Sequence, residues 1–93
     1  MVVDDDPVFR LVMEEVLRRA GAGKVVLAAD GEEARRILTR CVHAIDVVTL
    51  DLHMPNLDGV RFLRMMSELS FAGRLVLVSG EHQQVVNSAS RLA

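Results

Sequence analysis

Tryptophan and tyrosine are absent from this chain, and all three of its aromatic residues are phenylalanine. A core without large aromatics must be filled by aliphatic side chains and by the five methionines. One cysteine, Cys41, excludes an internal disulfide and fits a reducing cytoplasm. No apolar run approaches the ~20 residues of a membrane-spanning helix. Acids begin at position 4, which leaves no room for a signal peptide pattern, so no membrane partner is expected. Basic residues form no block and the net charge is 11 − 13 = −2, which argues against nucleic acid as a direct partner. No repeat, low-complexity tract or linker divides the 93 residues, whose number suits one domain.

The stretch around which the chain is organised is residues 47–59, VVTLDLHMPNLDG. Its first four residues read as a strand buried on both faces, and the strand runs straight into Asp51. A second apolar strand, Val2-Val3, runs into Asp4, Asp5 and Asp6. Parallel strands of an open α/β sheet deliver their C-terminal ends to one edge, where ligands bind at the point of strand reversal. Two acid-tipped strands would therefore gather three or four carboxylates in one crevice.

The remaining pattern supplies the helices and strands between. Asp6-Pro7 opens a helix by capping, and Phe9, Val12, Met13, Val16, Leu17 and Ala20 form its inward stripe. Residues 24–29 read as a short strand. Asp30-Gly31 reads as the turn after it, and Glu32-Glu33 place negative charge at the start of a second helix, with Ala34, Ile37, Leu38 and Cys41 inward. Residues 45–51 form the third strand. Asp58 caps a third helix that buries Phe62, Leu63, Met66 and Leu69. Residues 74–79, RLVLVS, form the fourth strand, and residues 81–93 read as a weak helix with Val85, Val86, Ala89 and Leu92 inward. This alternation predicts a doubly wound α/β fold with a parallel sheet and right-handed crossovers.

Four motifs taken together, VVDDDP at 2–7, DGEEA at 30–34, DLHMPNLDG at 51–59 and LVLVSG at 75–80, resemble a bacterial response regulator receiver domain. The resemblance spans the whole chain. It implies the flavodoxin-like strand order 2-1-3-4-5, of which this chain would supply 2-1-3-4, its fifth strand and helix missing. The domain over residues 1–93 is thus expected to be incomplete at both ends, with residues 75–78 as an uncovered apolar edge open to aggregation or to pairing with a second copy. Asp51 resembles the phospho-acceptor, and Asp4 and Asp5 the acidic pair. Mg²⁺ is the implied cofactor, held directly by Asp5, Asp51 and the backbone carbonyl of His53, with Asp4 acting mainly through water. Ser79 matches the hydroxyl residue that turns toward the phosphoryl group. The Lys that the family carries beyond the fourth strand falls outside the chain.

The implied function is a two-component phosphorelay switch rather than an enzyme. A sensor histidine kinase or phosphotransfer protein would be the donor, and an output domain or partner the target. Residues 79–81, Ser-Gly-Glu, resemble receivers joined to cyclic-di-nucleotide phosphodiesterases. One alternative is a phosphohydrolase of the haloacid-dehalogenase type, which needs an Asp two positions after its nucleophile; position 53 is His. Another is a degenerate receiver that binds partners without phosphorylation. The bland assignments are Asp6 and Asp58 as helix caps, Cys41 as a packed helix residue, His43 and His82 as surface residues, and the His53 ring as exposed at the pocket rim.

Overall fold

A computed structural model describes residues 1–54, 57–79 and 84–89, with the backbone alone at residues 79 and 84–89. The elements are β1 (Val2–Val3), α1 (Pro7–Arg19), β2 (Leu27–Ala28), α2 (Gly31–Cys41), β3 (Val47–Asp51), α3 (Gly59–Glu68), β4 (Arg74–Ser79) and β5 (Gln84–Ala89). A single 3-10 turn, Val42–Ala44, joins α2 to β3. The sheet order is β2-β1-β3-β4-β5. The first three pairings are parallel, which bears out the 2-1-3-4 order and the doubly wound class.

Strand alternation divides the sheet into two faces. Val3, Val48, Leu50 and Leu75 share one face and pack with Ala34 and Leu38 of α2 and Phe62 and Met66 of α3. Phe71, between α3 and β4, completes this cluster. These are the inward positions that helical spacing predicts for α2 and α3. Each helix starts at an Asp cap. Asp6 accepts from the N–H groups of Val8 and Phe9, Asp30 from Glu33, and Asp58 from Val60 and Arg61. Glu33 reaches back to the Ala29 N–H at 2.7 Å, close to a capping box. These caps bear out Asp6 and Asp58 as helix starts.

Three expectations change. The inward stripe of α1 is only half covered. Phe9, Met13 and Leu17 are half-buried, whereas Val12 and Val16 are about half exposed, at 50% and 51%. Beneath a helix of 13 residues, β1 and β2 offer two residues each, too little sheet to cover the whole stripe. Residues 84–89, read as part of a weak helix, form β5, antiparallel to β4 through Leu77↔Val86 and Val78↔Val85. The physical reason is the unpaired backbone edge of β4 next to two β-branched valines and the poor helix formers Asn87 and Ser88. The rest of that expected helix, with His82 and Leu92, lies outside the described residues. The edge expected to be open is therefore paired, and Leu75 and Val78 are buried. The pairing strand is antiparallel and does not extend the parallel 2-1-3-4 order.

Candidate functional site

β1 and β3 are hydrogen-bonded neighbours in the middle of the sheet, with Val3 opposite Leu50. One residue further along each strand stand Asp4 and Asp51, both buried, at the C-terminal edge. Asp5 follows and is exposed. One carboxylate oxygen from each of the three lies within 4.8 Å of the others. The crevice expected from two acid-tipped strands is therefore formed, with Asp4, Asp5 and Asp51 in it. Asp6 is turned away into its capping role.

Local hydrogen bonds aim these carboxylates. Asp4 Oδ1 accepts the Asp6 N–H at 2.8 Å. Asp51 Oδ1 accepts the His53 N–H at 2.9 Å. The His53 side chain is exposed, as expected for the rim, while Met54 just beyond it is buried in the core and anchors the turn. Burial raises the Asp4 carboxyl above its ordinary range; the Asp6 N–H works against this, and the charges of Asp51 and Asp5 add to it. Gathering acids in this way is costly unless a cation shares the site. Ser79 ends β4, one residue past Val78, which lies opposite Asp51; the placement of its hydroxyl lies outside the described residues.

One contact escaped the sequence pattern. The Arg10 guanidinium donates from Nη1 to the Asp4 carbonyl oxygen at 2.6 Å. Arg10 reads as an outer-face residue of α1. The available signal is its place in the first turns, because helix side chains lean toward the N-terminus and a long one there reaches back over the preceding strand end. Beside the site, a groove of about 540 Å³ is lined by residues of α2 and α3, among them Arg35 and Arg61, together with Asp5 and Met54. Among the described residues, no helix is long and apolar enough to cross a membrane.

Comparison with known proteins agrees with this geometry. Residues 1–92 match the family model of the response regulator receiver domain. The cyclic di-GMP phosphodiesterase RocR of Pseudomonas aeruginosa is 38% identical over 90 residues, which are 97% of this chain and 22% of that protein. The transcriptional regulatory protein AruR of the same organism is 32% identical over 91% of this chain and 35% of its own length. The chemotaxis protein CheY of Bacillus subtilis is 29% identical over 90% of this chain and 68% of its own. This chain thus spans between about a fifth and about a third of the first two relatives. Among solved structures, the receiver domain of the hybrid histidine kinase CckA superposes with a TM-score of 0.75 at 32% identity, covering 86% of this chain and 73% of that one. With its strand order, its acid-tipped central strands and a family match over nearly its whole length, the chain belongs to the response regulator receiver domains, the phospho-accepting switches of two-component signalling.

Proposed function

We propose that Asp51 accepts a phosphoryl group from a sensor histidine kinase or a phosphotransfer protein in a Mg²⁺-dependent step. The observation that carries this reading is the convergence of Asp4, Asp5 and Asp51, with carboxylate oxygens within 4.8 Å of one another. The donor set is all hard oxygen. It fits Mg²⁺, whose octahedral bonds of ~2.0–2.1 Å would space adjacent ligand oxygens by about 3 Å and opposite ones by about 4 Å. Asp5, Asp51 and the His53 carbonyl would hold the ion directly, and Asp4 would reach it through water. The chemistry it would supply there is neutralisation of charge on both the carboxylates and the incoming phosphoryl oxygens.

The chain's own residues do the rest. The His53 N–H fixes Asp51 Oδ1 and so orients the carboxylate. A lone pair of the other Asp51 oxygen forms the new O–P bond as the P–N bond of the donor phosphohistidine breaks. The bonding pair leaves with the imidazole, which takes up a proton. The product is an aspartyl phosphate, a reactive acyl phosphate. Its added charge at the end of β3 draws the Ser79 hydroxyl from the neighbouring end of β4. The end of β4 moves with it and signals to the output.

The setting is cytoplasmic, supported by the lone Cys41. A cyclic-di-nucleotide phosphodiesterase is the output favoured by the Ser-Gly-Glu run at 79–81 and by the likeness to RocR. Incubation with radiolabelled acetyl phosphate tests the acceptor chemistry. Wild type should take up acid-stable, base-labile label with Mg²⁺ and none with a chelator. Equal labelling of Asp51→Asn would overturn the assignment.

A further inference from the structure

We infer that Arg10 is a positioning residue for the Mg²⁺ site, acting through the backbone at Asp4. The inference rests on the proposed role of the acid trio and assigns a function to a side chain outside it. The observation is the 2.6 Å bond from Arg10 Nη1 to the Asp4 carbonyl. It joins two further ties in the same short connection. Asp6 N–H donates to Asp4 Oδ1, and Asp6 Oδ1 accepts from Val8 N–H. The Arg10 N–H also bonds the Asp6 carbonyl, in the first turn of α1.

These bonds close a ring around residues 4–6. β1 is two residues long and β2 ends at Ala28, so the ladder grips the Asp4 N–H through Ala28 and stops there. Past that point Asp5 hangs from a connection that is otherwise held by the bond from the Asp6 N–H to Asp4 Oδ1. The half-buried Arg10 guanidinium takes over where the ladder ends and locks the Asp4–Asp5 peptide plane. That plane sets the direction in which the Asp5 carboxylate leaves the backbone. Loss of a group that orients metal ligands from just outside the ligand set typically costs about 10–100-fold in metal affinity. A guanidinium also carries positive charge, which by itself opposes binding of a cation. The two effects have opposite signs, so experiment separates them.

The test is a titration with Mg²⁺ alone, followed by amide chemical shifts, on wild type, Arg10→Ala, Arg10→Lys, Arg10→Gln and Asp51→Asn, each checked for a cooperative melt. Positioning predicts that Arg10→Ala weakens binding about tenfold, while Arg10→Lys, which can still donate to the carbonyl, stays within about twofold of wild type. Should Arg10→Ala not fold, the shorter and neutral Arg10→Gln must show the same weakening. Unchanged or tighter binding in Arg10→Ala or Arg10→Gln overturns the inference, with Asp51→Asn still losing affinity if the trio itself is correctly read. If Asp51→Asn binds Mg²⁺ like wild type, the site reading fails independently of Arg10.

Discussion

The backbone N–H of His53 donates to Asp51 Oδ1 at 2.9 Å, so the residue two places after the acid holds one oxygen of its carboxylate. The contact belongs to the main chain and survives any substitution of the His53 ring. His53→Ala should therefore form the aspartyl phosphate at close to the wild-type rate. Loss of the exposed ring uncovers the pocket mouth, and phosphoryl release should quicken about fivefold, the equivalent of about 1 kcal/mol. Decay of purified, labelled protein measures this. Equal decay together with a large loss of labelling would make the ring a ligand or catalyst.

Asp4 gives a prediction about stability in the absence of metal. Its carboxyl is raised by burial, with Asp51 and Asp5 adding to the shift and the Asp6 N–H opposing it. A carboxyl raised in the folded state favours folding fully below its unfolded value, ~3.9, and that contribution is lost as pH rises through the raised value. At neutral pH the folded chain thus carries an unfavourable charge. Asp4→Asn keeps an oxygen for the Asp6 N–H and removes that charge. Without Mg²⁺ at pH 7 it should be more stable by on the order of 1 kcal/mol, a Tm rise of about 4–8 °C. The advantage should shrink toward pH 4 and reverse once Mg²⁺ stabilises wild type by mass action.

Gly73 is fixed by close approach. A Cβ at this position would collide with the Asp46 carbonyl oxygen and stand 2.8 Å from its carbon. The same carbonyl accepts the Arg74 N–H at 2.8 Å, which starts the β3–β4 pairing. Gly73→Ala must push the two strands apart at their entry and should cost about 3 kcal/mol. Denaturant midpoints would show it, and a shift near zero would place the strand start elsewhere.

What was legible in the sequence follows the strength of each local signal. Asp6 and Asp58 cap as their positions before apolar stripes require, while Asp30, read as a turn residue, caps α2 as well; Ala34, Leu38, Phe62 and Met66 are buried where helical spacing puts them. Asp4, Asp5 and Asp51 were legible because acids ending two apolar parallel strands must meet at one edge. Val12 and Val16 were not, because periodicity tells which side of α1 is apolar but not how much sheet lies beneath it. Val85 and Val86 read as helix, against the strand they form, for a related reason. Their local pattern allows helix or strand, and the open edge of β4 decides. Arg10 was hidden because a hydrogen bond to a backbone carbonyl leaves no mark in residue type.

The uneven cover of the helices gives a paired test. Leu38 is fully buried in the cluster between the sheet and α2 and α3, so Leu38→Ala should cost about 2–5 kcal/mol. Val12 lies half exposed on α1, and Val12→Gln on this chain should stay within about 0.5 kcal/mol. Comparable losses at both positions would mean that the α1 stripe is covered.

The most direct measurement is to find which atom carries the phosphoryl group. Protein phosphorylated with acetyl phosphate and Mg²⁺ is reduced with borohydride, which converts an aspartyl phosphate to homoserine, and the peptides are read by mass spectrometry. Homoserine at position 51 alone, absent when Mg²⁺ is withheld, is the predicted result. Homoserine at Asp4, Asp5 or Asp58 with position 51 unmodified would contradict the account.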